Sequence, residues 1–240
     1  MVKDSPWHIG LEIKNISMNP PNSIFKLGKN WKITTDTLMG TDIIIIDNYY
    51  HYPEAVKSFC SIPFPQLWRA ETPGSPNGCF YQDRRLQRGL ATDDVLQRNK
   101  EILGLLCGQQ PVDCERDIVT NMSKFYKHSF NDIDNCYWWP HTDFGYNAVV
   151  FLNDEIEGEY SGTAIYHPDD LRPEEQMQKE GLNPWVPKSQ YRLVKHVPGK
   201  YNRCVLFDGK KFPHAMHIND YTFFDNFYRI NHVHFFTPYD

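Results

Sequence analysis

Past residue 118 the chain is a succession of short apolar runs broken by turn-forming clusters, and that punctuation narrows the folds open to it. Residues 118–126, 148–152, 162–166, 191–196, 203–207 and 227–236 carry the β-branched and aromatic residues that suit a pleated, half-buried surface. EGEYSG and DGKK lie between such runs and are built for turns. Many short strands, turns between them and few helices point to a mainly β protein with flanking helices. The expected architecture is an antiparallel sandwich of the jelly-roll kind, a double-stranded β-helix.

The first half of the chain is less regular. Residues 1–42, with Pro20, Pro21, Gly28 and Gly40 among scattered apolar positions, read as an irregular or short-stranded N-terminal extension. Residues 43–46, all isoleucine, form a run suited to a buried strand, and Asp47 and Asn48 end it. Pro53 then opens PEAVKSFC, where proline is tolerated in a first helical turn. Residues 61–91 are rich in proline and glycine and read as loop. Residues 92–108 predict a helix, with Thr92 as N-cap, Asp93 and Asp94 in the first turn and Gly108 at the end. The jelly-roll domain is expected over 43–240. The polar, proline-punctuated segment 167–190 interrupts it as a lid-like insert.

Composition removes several functional classes. At 240 residues one domain with embellishments is the natural expectation, and 15% aromatic content marks a globular chain. A formal charge of −5 and the lack of a basic run argue against a nucleic-acid partner. Six cysteines without a C-x-x-C pair read as reduced thiols of a cytoplasmic protein. No apolar stretch approaches the length of a membrane span, so no membrane partner is expected.

WWPHTDFGYNAVVFLN, residues 138–153, holds the densest chemistry. His141 and Asp143 flank one residue, and residues two apart on a strand share a face, so both side chains point to one place. A second imidazole there would complete a two-histidine, one-carboxylate set with open positions, the arrangement that suits non-haem Fe(II) oxygenases. His214 and His217 are the candidates. They stand three apart and would face opposite ways in a strand, and His214 is favoured because it opens the strand after the DGKK turn. Arg229, fifteen positions after His214, lies in an alternating strand. Taken alone it reads as outward and solvated. Turned inward among apolar groups, it would call for an anion such as a carboxylate.

The ordered set of motifs resembles the 2-oxoglutarate- and Fe(II)-dependent dioxygenases, in particular the prolyl-4-hydroxylase-like branch and its bacterial and phage members. IIIIDNYYHYPEAVKSF is similar to that branch's opening strand and helix. HTD with VVFLN and EGEYSGTAIY is similar to its metal motif, following strand and glycine-rich hairpin. YNRCVLFDGKKFPHAM and FYRINHVHFF resemble the strands that carry the distal histidine and the arginine.

The resemblance implies His141, Asp143 and His214 as ligands of Fe(II), and Arg229 as the anchor for the far carboxylate of 2-oxoglutarate. Tyr126 would lie near that cosubstrate. The implied reaction uses O2 to hydroxylate a C–H bond of a small molecule or a protein side chain, releasing succinate and CO2. Phe151 stands where the branch often has a tyrosine, and Ser161 replaces the first glycine of the hairpin. Two other readings are a jelly-roll binding or structural protein without turnover, and a cupin-like metalloenzyme that uses no 2-oxoglutarate.

Overall fold

The computed structural model describes residues 22–61, 68–71, 83–87, 119–125, 136–138, 140–143, 145–154, 158–171, 185–220 and 229–236. The helix expected at 92–108 lies outside these residues, as does Tyr126. Among the described residues the chain begins with a hairpin, β1 (Lys32–Leu38) and β2 (Thr41–Asp47), followed by the helix α1 (Pro53–Ser61). Four short strands come next: β3 (Trp68–Glu71), β4 (Asp83–Gln87), β5 (Val119–Phe125) and β6 (Cys136–Trp138). The remainder comprises β7 (Tyr146–Phe151), β8 (Gly158–Tyr166), β9 (Trp185–Pro187) and β10 (Leu193–Gly199), then β11 (Cys204–Asp208), β12 (His214–Ile218) and β13 (Arg229–Phe236).

Every pairing is antiparallel. The large sheet runs β1-β2-β11-β7-β13-β5-β4-β3, a smaller sheet runs β10-β8-β12, and β6 pairs with β9. The chain passes from β7 in the large sheet to β8 and β10 in the small one, back to β11, over to β12 and back to β13. That alternation between two facing sheets is a jelly roll. No helix among the described residues is long and apolar enough to cross a membrane.

β1 arises from the stretch read as an extension and pairs with β2 along its whole length, from Lys32 opposite Asp47 to Leu38 opposite Thr41. Met39 and Gly40 link the two with φ of 49° and 74°. Two central residues of positive φ make the mirror-image turn whose twist suits a hairpin.

The large sheet is apolar on both faces because its strands alternate. One face carries Ile44, Ile46, Ala148, Val150, Leu152, Cys204, Leu206 and Ile230, covered by Phe25, Leu27, Tyr49, Tyr50 and Val56 of the N-terminal segment. The other carries Ile43, Val149, Phe151, Val205 and Phe207 and meets Ile165 of β8 and Val197 of β10. This second layer fills the space between the sheets and forms the inner chamber. Asn202 fastens the N-terminal segment to the barrel: its Oδ1 accepts from the Tyr50 N–H at 2.8 Å, and its Nδ2 donates to the Tyr50 carbonyl at 2.9 Å.

The first face also buries Tyr50, His232 and His234 together. The Tyr50 hydroxyl lies 2.5 Å from His232 Nδ1 and 3.3 Å from His234 Nε2. Burial pushes His234 down to about 3; burial and then the neighbouring His234 push His232 well below its usual value. Both shifts favour the neutral rings.

Candidate metal centre

The turn between β11 and β12 organises the site. Asp208 Oδ1 accepts the backbone N–H groups of Lys210 and Lys211, each at 3.0 Å, which closes the turn. The Phe212 N–H returns to the Asp208 carbonyl at 3.1 Å, and its side chain is buried in the inner chamber. β12 then starts on His214 itself. His141 pairs with His214 across an isolated bridge: the His141 N–H donates to the His214 carbonyl at 3.1 Å, and the reverse bond is 2.9 Å. One residue of sheet pairing thus sets the two histidines side by side, with ring centroids 4.7 Å apart.

Asp143 is delivered differently from the sequence expectation. It lies outside any regular strand, so alternation along a strand is not what aims it. Its N–H is held by the Gly209 carbonyl at 2.9 Å, so the same turn that launches His214 also fixes the Asp143 backbone. Ligand atoms of His141, Asp143 and His214 all lie within 4.8 Å of one another. His214 Nε2 stands 3.0 Å from Asp143 Oδ2.

That last contact tests whether a cation fits. His214 Nδ1 lies 2.9 Å from the Phe212 carbonyl, a pure acceptor, so Nδ1 carries a hydrogen. With Nδ1 as donor, Nε2 faces a carboxylate that can only accept. A proton on Nε2 or a metal ion between the two atoms would satisfy both. Neighbouring ligand atoms of an octahedral ion with bonds of about 2.1 Å stand about 3.0 Å apart, which is the spacing of this one pair. Burial raises the Asp143 carboxyl, but the His214 hydrogen bond, the His214 and His141 charges and an Asn147 hydrogen bond outweigh it and bring it to about 2. The group is a carboxylate at any ordinary pH. Two imidazoles and one carboxylate suit a first-row divalent metal such as iron.

Arg229 faces inward. It is 2% exposed, and its guanidinium carbon lies 5.5 Å from the centre of the Phe151 ring, within the inner chamber. Its Nη2–H donates to the Gly162 carbonyl at 2.9 Å, and its Nε–H reaches Asn231 Oδ1 at 3.3 Å. The outward, solvated placement that Arg229 suggests when read alone is therefore not the one adopted. Phe151, in place of a tyrosine, gives the guanidinium a ring face.

His217 lies elsewhere. It points to the opposite side of β12 from His214 and packs on His196 with ring centroids 3.8 Å apart. Burial, then the charges of His196, Lys188 and Arg229, lower it to about 3. His196 Nδ1 in turn meets Glu159 at 3.0 Å. Trp138 is placed in β6, whereas Trp139 and Phe144 lie outside the described residues.

Asn147 and Gly209 are the residues that sequence reasoning passed over. Asn147 sits among the candidate ligand side chains, with Nδ2 at 2.5 Å from Asp143 Oδ2 and 2.8 Å from His214 Nε2. The available signal was parity: 147, 149 and 151 alternate along β7, and Val149 and Phe151 are inner-chamber residues.

No protein-family model matches the chain, and no curated protein matches it. Solved structures do. The chain is similar to a prolyl-4-hydroxylase from Pseudomonas putida, at 9% identity and a TM-score of 0.40 over 87% of this chain and 92% of that one. It is similar to a candidate oxygenase from Shewanella oneidensis, at 11% identity and a TM-score of 0.48 over 83% and 82%. It is also similar to HygX from Streptomyces hygroscopicus, a structure with nickel, 2-oxoglutarate and hygromycin B bound, at 15% identity and a TM-score of 0.42 over 83% and 86%. Likenesses this distant leave the chemistry to be read from the chain's own side chains.

Proposed function

We propose that the chain is an Fe(II)- and 2-oxoglutarate-dependent oxygenase that hydroxylates a C–H bond of a small molecule or a protein side chain. One juxtaposition carries the reading: a two-histidine, one-carboxylate set and a buried, inward arginine on the walls of one chamber. His141, Asp143 and His214 would hold the iron. With 2-oxoglutarate and O2, that iron would supply the oxidation of an unactivated C–H bond, with release of succinate and CO2.

The chain's own residues do the rest. Arg229 offers a guanidinium to a carboxylate in a site closed to water, where such a bond is strong and directional. Register fixes its position relative to the ligand set. His214 sits opposite Ile165 on β8, while Arg229 bonds the Gly162 carbonyl three residues along that strand. At about 3.3 Å per residue the two points are roughly 10 Å apart. A backbone separation of this order is compatible with a five-carbon diacid that has one end by the candidate ligands and its far carboxylate on the guanidinium. Val149, Phe151, Ile165, Val205 and Phe207 keep the chamber dry between them. The segment 167–190, of which 172–184 lie outside the described residues, is proposed as a lid over substrate. Asp170 near its start accepts a charged hydrogen bond of 2.8 Å from Arg192 just past its end, and β9 near that end pairs with β6.

The test is succinate formation from 2-oxoglutarate by the Fe(II)-loaded protein under air, followed with O2 uptake. Turnover that Asp143→Ala abolishes is expected. Iron-loaded protein that forms no succinate, with or without candidate substrates, would contradict the proposal.

A further inference from the structure

Asn147 is 2% exposed and stands on the inner side of β7 beside two of the three candidate ligands. A carboxylate only accepts hydrogen bonds, so the amide must turn its NH2 toward Asp143. The same nitrogen lies 2.8 Å from His214 Nε2, a contact that a metal ion on that lone pair would replace, leaving the amide on Asp143. Its other end is less well served: Asn147 Oδ1 finds no hydrogen-bond partner among the described residues. Leaving a buried acceptor unmet is destabilising, so packing alone does not account for an asparagine here.

The space for this amide comes from Gly209. A Cβ at position 209 would stand 2.8 Å from Asn147 Oδ1 and 2.9 Å from both Cγ and Nδ2, closer than real contacts allow. The Gly209 carbonyl also holds the Asp143 N–H. Side chain and backbone of Asp143 are therefore both fixed by this one corner.

We propose that Asn147, seated on Gly209, is a positioning residue of the metal centre, holding the Asp143 carboxylate in the orientation in which it and His214 can share a cation. The proposal rests on the reading of His141, Asp143 and His214 as metal ligands. Residues that orient metal ligands in this way typically account for about 10–100-fold in affinity.

The test uses Mn(II) as the probe, with free Mn(II) read by electron paramagnetic resonance and the fold monitored by thermal unfolding. Asn147→Ala is expected to weaken Mn(II) binding about 10–100-fold. Gly209→Ala, which leaves Asn147 in the chain but takes its seat, is expected to do the same. The double variant is expected to be no worse than either single one, since both remove one interaction. Asn147→Leu, of similar volume and without a donor, supplies the same measurement if Asn147→Ala does not fold. Wild-type affinity in Asn147→Ala or Asn147→Leu would overturn the proposal. Additive losses in the double variant would overturn the link to Gly209. Failure of the wild-type protein to bind Mn(II) would instead remove the metal-site reading beneath it.

Discussion

Replacing Arg229 with methionine separates its proposed role as anchor from that of the proposed metal site. Methionine fills much of the same volume and can keep a sulfur contact with the Phe151 ring, while removing the charge and its hydrogen bonds. Removing one partner of a buried, hydrogen-bonded charge pair costs about 2–5 kcal/mol of binding. A loss of about 3 kcal/mol weakens 2-oxoglutarate by about 100-fold. The assay is thermal unfolding with Mn(II) present throughout, with and without 2-oxoglutarate at about 100 times the wild-type Kd. Ligand at that level stabilises the wild-type protein by about 2.7 kcal/mol, a rise in Tm of about 5–11 °C for a chain of this size. In Arg229→Met the same concentration only matches the new Kd, which leaves about 0.4 kcal/mol and about 1–2 °C. Each protein is compared with its own ligand-free baseline, so any loss of fold stability cancels. A variant whose ligand-induced rise equals that of wild type would refute the assignment of Arg229 as anchor.

Acid should loosen the fold well above the range where carboxylates titrate. His217 and His234 are held near 3 and His232 well below its usual value, against an ordinary histidine value of 6.5, so the unfolded chain binds protons that the folded one refuses. Stability contributed by these rings is complete above about pH 7 and falls as pH drops through 6.5, by about 1.4 kcal/mol per pH unit for each ring. Urea midpoints measured from pH 7.5 to 5 should decline, and His234→Gln should flatten the slope; a midpoint indifferent to pH would contradict the burial argument. Gly162→Ala should be strongly destabilising, because a Cβ there would lie 2.2 Å from the Val197 carbonyl and 2.6 Å from His196 Nε2, forcing β8 and β10 apart. Chemical denaturation should show a loss of about 1–3 kcal/mol, and an unchanged midpoint would refute the close approach.

The strands that the sequence announces are those whose side chains have an inside. β2, β7 and β11 carry buried runs packed on both faces, and the isoleucine run at 43–46, VVFLN and RCVLF each show it. β1 has no such run: KITTDTL is an edge strand, largely exposed, so nothing in its pattern marks a core face. The pairing of Asp143 with His214 is legible through the apolar strand, the DGKK turn and the histidine that follows it. How Asp143 is aimed is not legible, because a backbone bond to Gly209 sets it, and backbone bonds leave no trace in residue type. The direction of Arg229 follows parity along β13 with Asn231 and Val233, but parity does not say which face meets the chamber. Asn147 resembles a polar residue at a strand's edge until the turn that carries Gly209 is placed against it.

His141, Asp143 and His214 are proposed to bind iron in a chamber whose far wall receives a 2-oxo diacid. Anaerobic titration with Fe(II) and then 2-oxoglutarate, followed by visible absorption, tests it most directly. Chelation of Fe(II) by a 2-oxo acid produces a weak metal-to-ligand charge-transfer band. A saturable band is expected that vanishes in His214→Ala and is unaffected in His217→Ala, whose ring faces the other side of β12. Bound iron without any such band would contradict it and favour a cupin-like metal site. No iron binding at all would leave a jelly roll without a metal centre.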